Sequence, residues 1–464
     1  MGNRNHLKDA SLGLQHVLAM YAGAVVVPLI IGFSIGLTTA QLTYLISIDI
    51  MMCGVATILQ VWKNKFMGIG LPVVLGCTFT AVGPIINIAN TYSIQSVYGA
   101  ILCAGLFVVI IGKYFSKLIK FFPPVVTGSV VTIIGVTLIP VAINNFAGGQ
   151  DAQDFASLPN IGLGFLTLFI ILIILKFSKG FFASIAILVG IIVGTIIAAF
   201  FGQVDLSPVK DASWVHLPVV FYFGTPEFHL VPILTMILVA MVSLVESTGV
   251  YFALGDITEK EIRESDLKRG YRAEGVAILL GGLFNSLPYT AFSQNVGLIQ
   301  LSGVRRLKII YIAGVMLALL GLMPKIGAAT LAIPESVLGG AMIAMFGMVI
   351  AYGIKMLSTV DFNQQNNLMV VAISIAFGLG VTAVPDVFDS LPDSISVITH
   401  SGIVMGSLSA ILLNLVLNFN LEPTDEVKDQ LFEVTPDEEK EIPLEREWDD
   451  IDVYEVKNNK EEKN

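Results

Sequence analysis

Residues Leu287-Pro-Tyr-Thr-Ala-Phe-Ser-Gln294-Asn295-Val-Gly297-Leu-Ile-Gln300 form a short polar break in a chain that is otherwise strongly apolar. An earlier apolar stretch, residues 232–254, carries a single charged side chain, Glu246. An ionisable group at bilayer depth is costly, so such a residue indicates a solute or ion pathway. A segment too short and too polar for an ordinary membrane helix is typical of irregular backbone that lines a cavity. The two stretches together predict a transporter, with its solute site where they meet.

The composition predicts a polytopic membrane protein with all-α structure. Of 464 residues, 55% are hydrophobic and only 13% are charged, whereas the exterior of a soluble protein must face water. A membrane span needs about 20 apolar residues, and fourteen runs approach that length. Their approximate boundaries are 13–33, 40–61, 68–88, 95–112, 122–143, 160–177, 181–201, 229–254, 271–286, 288–302, 307–324, 334–354, 366–384 and 399–419.

The formal net charge of −10 is concentrated at one end of the chain. Residues 420–464 hold 17 acidic and 6 basic side chains, which leaves the rest of the chain at +1. Such a segment is typical of a solvated, disordered tail. The acidity therefore says nothing about the charge of a substrate, and it gives no reason to expect a nucleic acid partner.

The basic residues predict the orientation in the membrane. Eighteen Lys and Arg fall in the N-terminus and the even-numbered loops, and only Lys210 and Lys325 fall in the odd-numbered ones. Cytoplasmic loops carry this excess, so we expect both termini in the cytoplasm. The apolar run at the N-terminus lacks a cleavage site after a short hydrophobic region, so we interpret it as a first membrane helix.

Paired features recur at an offset of about 215 residues. Leu71-Pro72 opens a short segment rich in Gly and Thr, as Leu287-Pro288 opens the polar break. Residues 123–128 likewise match residues 334–339. Each half has seven runs, an odd number, so the second half must start on the opposite side of the membrane from the first. This arrangement is an inverted repeat, and in such folds the binding site lies at the membrane midplane.

The sequence offers no pattern for catalysis or for a cofactor. Cys53, Cys77 and Cys103 fall in apolar segments, with no spacing typical of a disulfide framework or a metal site. A membrane-embedded enzyme would need a nucleophile with a base, or a metal cluster, and the few ionisable groups in apolar segments are scattered. A passive anion or solute channel remains an alternative from a different class.

Residues 294–303, Gln-Asn-Val-Gly-Leu-Ile-Gln-Leu-Ser-Gly, resemble the signature of the nucleobase–ascorbate transporter family, also called nucleobase:cation symporter type 2. Ser302 departs from the family's Thr but keeps a hydroxyl. The resemblance covers residues 10 to 420, and within the family it is particularly close to bacterial xanthine permeases.

The resemblance implies fourteen segments in a seven-plus-seven inverted repeat, with short broken or extended pieces in segments 3 and 10. It implies a homodimer in the plasma membrane, with a core domain that holds the site and a gate domain beside it. The expected division is an N-terminus at 1–12, core at 13–112 and 229–324, gate at 113–201 and 325–419, an extracellular loop at 202–228 and the cytoplasmic tail at 420–464.

The resemblance also implies which residues hold the substrate, a purine. Glu246 and Gln294 are expected to grip the ring, with backbone at Ala81 and Ser293 completing the contacts. The Thr80 hydroxyl lies beside the third-segment break, where we expect it to tune which oxopurine fits. A structural carboxylate and an interhelical hydrogen bond are the alternatives for Glu246 and Gln294.

Other polar residues are expected to support the site or the coupling. Asn295 is expected to order the broken backbone or to contact Glu246. Glu274 matches an acid of the family's ninth span, with an interfacial acid paired in a salt bridge as the alternative. His16 is either functional or a packing histidine. Asp49 has no assigned role beyond a packing or gating hydrogen bond.

The resulting prediction is a proton-coupled importer of xanthine, with uric acid and then uracil as alternative substrates. The proton is an expectation from the family, in which some members use sodium. This chain has Ala81 where relatives often have Phe, and Val250 where several have an acid or His. We therefore expect no stacking platform from position 81 and fewer polar neighbours around Glu246.

Overall fold

The computed structural model describes residues 2–118, 122–149, 152–391 and 398–418. The acidic tail predicted at 420–464 lies outside the described residues. The first half contains α1 (Gly2–Ser34), α2 (Thr39–Val61), β1 (Leu75–Cys77), α3 (Val82–Thr91), α4 (Ile94–Leu118), α5 (Pro124–Thr137), α6 (Ile139–Phe146), α7 (Leu158–Phe177), α8 (Phe181–Ser184), α9 (Ala186–Phe200) and α10 (Ser207–Asp211). The second half contains α11 (Leu230–Thr258), α12 (Glu264–Phe284), β2 (Tyr289–Ala291), α13 (Ser293–Ser302), α14 (Leu307–Gly321), α15 (Pro324–Leu331), α16 (Glu335–Leu357), α17 (Gln365–Ala383) and α18 (Gly402–Asn418).

The fourteen predicted runs all coincide with helices or with a strand followed by a helix. The expected short pieces in segments 3 and 10 are confirmed, because each consists of a three-residue strand and a ten-residue helix. Helix α12 begins at Glu264, two turns before the ninth apolar run at 271–286. These two turns are rich in charged side chains and therefore do not count toward an apolar run.

The described helices are those of a multi-pass membrane protein. In these ranges, eight helices are long and apolar enough to cross a bilayer, and α14 with α15 would make nine if the pair is one span. That pair is bent by 77°, with Pro324 at the start of α15. Proline is favoured in the first turn of a helix, where its missing N–H removes no bond. The seven-plus-seven arrangement of fourteen spans remains a prediction.

Glycine allows two helix pairs around the sheet to approach closely. A Cβ added at Gly54 of α2 would lie 2.4 Å from the backbone of α14, at the oxygen of Gly314. A Cβ at Gly275 of α12 would lie 2.7 Å from the backbone nitrogen of Val109 in α4. Small residues at crossings are typical of helices packed in membranes, where backbone proximity and van der Waals contact provide the attraction.

Replacing Gly54 by Ala tests this packing. The added methyl group overlaps the backbone of α14, so α2 and α14 must separate, and overpacking of this kind costs about 1–3 kcal/mol. We expect a lower apparent melting temperature for the purified protein in detergent. Gly162→Ala is the matched control, because nothing lies within 4 Å of the added methyl group. Equal melting temperatures for the two variants would show that this crossing is not tight.

Candidate functional site

The two broken segments pair with each other in the interior of the protein. Strands β1 and β2 are antiparallel, with Gly76 opposite Thr290 and Cys77 opposite Tyr289. Phe292 N donates to Val74 O at 2.9 Å and extends the pairing beyond the strands. Both strands are buried. Each strand therefore supplies the hydrogen-bond partners that the other would lack away from water.

Helix α11 presents a polar face to this small sheet. Ser243 Oγ donates to Thr78 Oγ1 at 3.3 Å, and Ser247 Oγ lies 3.2 Å from Thr290 Oγ1. Ala291 N also donates to Ser247 Oγ, at 3.0 Å. Residues three and four apart share one face of a helix. Ser243, Glu246 and Ser247 therefore face the broken segments together.

Glu246 lies half-buried at the edge of this polar face. The Thr290 hydroxyl is among the polar groups near its carboxylate. It also lines a cavity of about 10 Å³ between α11, α5 and α18. A cavity this small holds about one water molecule. A purine ring does not fit there until α11 separates from α5 and α18.

Gln294 and Ser293 stand in the first turn of α13, directly after β2. The Gln294 side chain is exposed and Ser293 is half-buried. Thr80 and Ala81, at the corresponding break of the other segment, are buried at 1% and 0% exposure. Of these four residues, Gln294 has the exposed side chain.

Thr80 has a hydroxyl without a hydrogen-bond partner among the described residues. Its backbone N–H donates to Thr78 Oγ1 at 3.2 Å. A buried hydroxyl left unpaired is costly, so it is available to a polar ligand that reaches the break.

Glu274 is fully buried, which differs from the interfacial salt bridge considered as an alternative. Tyr251 donates its hydroxyl to Glu274 Oε1, and Gln60 Nε2 donates to the Tyr251 oxygen. Arg272 stacks over the Phe66 ring. Ser247 and Glu246 are neighbours of the buried Glu274 carboxylate.

His16 and Asn295 form a pair that ties α1 to α13. Asn295 Nδ2 lies 3.1 Å from His16 Nδ1 and donates to the His16 carbonyl at 3.1 Å. Both side chains are buried. Of the two roles expected for Asn295, the contact with Glu246 is not the one observed, because the amide turns toward α1.

A larger cavity of about 530 Å³ lies away from these residues. It is lined by the start of α2, the connection between α9 and α11, and the bend between α14 and α15. None of the predicted site residues lines it. No group of three metal-ligating side chains occurs in the described ranges.

Four further residues contact Glu274 or one another and were not predicted as site residues from the sequence: Ser247, Thr290, Tyr251 and Gln60. One signal was available, because Ser243 and Ser247 flank Glu246 at helical spacing. The roles of Tyr251 and Gln60 depend on which helices meet, and spacing along the chain does not give that.

The comparison with known sequences identifies the family. Residues 7–387 match the profile of the permease family Xan_ur_permease. The chain belongs to this family, nucleobase:cation symporter type 2. It is 61% identical to the xanthine permease of Bacillus subtilis over 89% of this chain and 94% of the relative. It is 60% identical to the uric acid permease PucK of the same organism, over 88% and 95%.

A solved structure shows a similar fold. The transmembrane domain of the cyanobacterial bicarbonate transporter BicA matches with a TM-score of 0.55 at 17% identity, over 88% of this chain and 97% of that domain. At this identity the likeness concerns the fold alone. The family and these relatives make the chain a multi-pass membrane permease for nucleobases.

Replacing Thr290 by Val tests the contact between the sheet and α11 beside Glu246. The change keeps the shape and removes the hydroxyl that lies 3.2 Å from Ser247 Oγ and donates to the Ser243 carbonyl at 3.4 Å. We expect nucleobase uptake, as Vmax/KM, to fall about tenfold, because these buried hydrogen bonds are lost. Uptake is to be normalised to the amount of permease in the membrane.

Two variants control this experiment. Thr290→Ser keeps the hydroxyl and should retain most activity. Thr235→Val removes a buried hydroxyl on α11 that bonds only to its own helix, at Val231 O, and should change uptake less than twofold, about 0.4 kcal/mol. Full activity of Thr290→Val would exclude a role for the hydroxyl.

Proposed function

We propose that this permease is a proton-coupled symporter that imports xanthine across the plasma membrane by alternating access. The observation that carries the proposal is the position of Glu246. Glu246 lines the small cavity between α11, α5 and α18 and lies near Thr290, in the broken segment that leads to Gln294. An acid at this depth is expensive and is typical of a solute or proton site.

The helix contacts support fourteen segments in an inverted repeat. Segment 2 (α2) packs on segment 11 (α14), and segment 9 (α12) packs on segment 4 (α4). Exchanging each segment for its counterpart in the other half, seven segments away, converts one of these contacts into the other. The same exchange converts the contact of α7 with α9 into that of α17 with α18, and β1 into β2.

The contacts also support a core domain and a gate domain. The helices of segments 1–4 and 8–11 pack extensively on each other, as do those of segments 5–7 and 12–14. Contacts between the two groups are sparse, and the Glu246 cavity lies in that gap. Rocking one group against the other would open the cavity to alternate sides. We further expect a homodimer, with both termini in the cytoplasm because of the distribution of Lys and Arg.

The proposed ligand contacts follow from donor and acceptor chemistry. An ionised Glu246 accepts hydrogen bonds from ring N–H groups. Gln294 offers one acceptor and two donors, which matches an oxopurine edge with adjacent C=O and N–H groups. The backbone at Ala81 and Ser293 and the unpaired hydroxyl of Thr80 would complete the contacts.

Proton coupling is proposed from the linked carboxylates. Thr290 and Ser247 contact each other beside the two carboxylates, so we expect a proton at one site to affect ligand binding at the other. If protonation and purine binding favour each other, the proton gradient drives accumulation by thermodynamic linkage. The His16–Asn295 pair supports the turn that carries Gln294. Sodium is the alternative ion.

Uric acid is the alternative substrate, followed by uracil. The xanthine and uric acid permeases of Bacillus subtilis match this chain almost equally, at 61% and 60%. Xanthine and uric acid differ only at C8, so the group of the site that faces C8 decides between them. A passive channel is the alternative of another class, and concentrative uptake distinguishes it.

The central test is uptake of radiolabelled xanthine by cells that lack their own purine permeases. We expect accumulation that collapses with a protonophore and is blocked mainly by unlabelled xanthine. Unlabelled uric acid, uracil, hypoxanthine and guanine serve as the other competitors. Accumulation of uric acid in place of xanthine would overturn the substrate, and uptake without concentration would favour a channel.

The variant Glu246→Gln should abolish this accumulation, because an amide cannot bind and release the coupling proton. Glu259→Gln is the matched control, since Glu259 is exposed at the end of α11 and pairs with Arg305 at the surface. Such a surface pair contributes little. Wild-type accumulation by Glu246→Gln would refute the role of this carboxylate.

The variant Gln294→Glu should weaken xanthine binding and shift the substrate preference. An ionised carboxylate only accepts hydrogen bonds, so the donor to a purine carbonyl is lost. We expect KM for xanthine to rise about tenfold or more, the effect of an unpaired polar group in a binding site. Gln300→Glu, an exposed change in the same helix, is the control. Unchanged competition by all purines would exclude direct contact.

A further inference from the structure

Asp49 is a fully buried acid on α2 that the proposed transport cycle does not use. Ser286 Oγ donates to Asp49 Oδ1 at 2.9 Å, and Leu287 N donates to the same oxygen at 3.4 Å. Cys53 Sγ donates to the other oxygen at 3.8 Å. These neighbours are O–H, N–H and S–H groups, and an ionised carboxylate is an acceptor-only group. An aspartate therefore suits this position, because its carboxylate accepts hydrogen bonds from all three neighbours.

The residues that Asp49 holds, Ser286 and Leu287, lie just before β2, with Pro288 between them and the strand. Ser286 Oγ also lies 2.6 Å from the Tyr289 hydroxyl, so the bond to Asp49 continues into the strand. Tyr289 pairs with Cys77 of β1 in the sheet. The carboxylate thus holds the end of the sheet at which Tyr289 pairs with Cys77.

The same face of α2 holds the other end of the sheet. Leu75 N donates to Thr57 Oγ1 at 3.0 Å, and Leu75 pairs with Ala291. Asp49, Cys53 and Thr57 are four residues apart and therefore share one face of the helix. Helix α2 therefore supports both ends of the sheet. Ser243 and Ser247 of α11 contact the sheet from the other side.

Alternation along β2 connects Asp49 to the ligand site. Successive strand residues point to opposite faces, so Tyr289 faces Asp49 while Thr290 faces Ser247 and Glu246. A slip by one residue would turn Thr290 to the wrong face. The strands are only three residues long, so their own pairing specifies the register weakly.

We infer that Asp49 is a positioning residue, which fixes the register of β2 and thereby presents Thr290 and Gln294 to the substrate. It acts through Ser286 and Leu287 and does not touch the solute. The inference rests on the proposed function in one respect, because the uptake experiment assumes that the protein transports xanthine. The first test is therefore made on the purified protein and needs no substrate.

Hydrogen–deuterium exchange of the segment 286–292 in the full chain tests the anchor directly. Asp49→Ala leaves the Ser286 hydroxyl and the Leu287 N–H without their acceptor. We expect exchange in this segment to accelerate about tenfold, because loss of a buried hydrogen bond favours local opening. Asp49→Asn keeps one acceptor oxygen and should give a smaller change. Cys53→Ala, one turn along the same face, should leave exchange unchanged.

Uptake kinetics test the functional consequence. For Asp49→Ala we expect KM for xanthine to rise about tenfold and the selectivity between xanthine and uric acid to change, at equal amounts of permease in the membrane. Asp49→Asn should recover part of both effects, which a general loss of folding would not produce. If Asp49→Ala does not accumulate, Ser286→Ala removes the 2.9 Å bond and should give the same changes with smaller size.

The outcomes separate the two proposals. Wild-type exchange in segment 286–292, together with wild-type KM and selectivity in Asp49→Ala or Ser286→Ala, would overturn the anchor. Absence of purine uptake by the unchanged protein would overturn the proposed function and leave the exchange result standing. Faster exchange with wild-type KM and selectivity would overturn the link from the anchor to the ligand site.

Discussion

The structure depends on how two stretches of broken backbone are satisfied within an apolar interior. Leu71-Pro72 and Leu287-Pro288 each begin a stretch of backbone that is not helical. Unpaired N–H and C=O groups in an apolar interior are costly. The segments solve the problem for each other, because β1 and β2 pair as antiparallel strands. A helix then follows each strand, so both helices start beside this buried sheet.

The helices around this sheet are arranged to hold it from two sides. Helix α2 supplies Asp49 and Thr57 on one side, and α11 supplies Ser243 and Ser247 on the other. The crossing of α2 with α14 is close because Gly54 has no side chain. A rigid frame of this kind keeps short strands in register, and a site built on a fixed frame can discriminate between similar rings.

Much of this arrangement was predictable from particular residues. The Pro-opened breaks, the single acid in residues 232–254 and the signature at residues 294–303 located the helices and the region of the site. The contact of Asn295 with His16 and the position of Glu274 beside Tyr251 were not predictable in this way. Both depend on which helix lies opposite, and spacing along the chain does not report that distance.

The sequence by itself determined that the chain is a membrane permease, because the apolar runs, the charge distribution and the signature are local properties of the chain. Only the tertiary structure decided that the two breaks pair with each other. It also decided that Thr290 contacts Ser247 beside Glu246, and that Asp49 holds Ser286 just before β2. These contacts join residues about 40 to 240 positions apart, and they exist only because packing brings α2, α11 and both strands together.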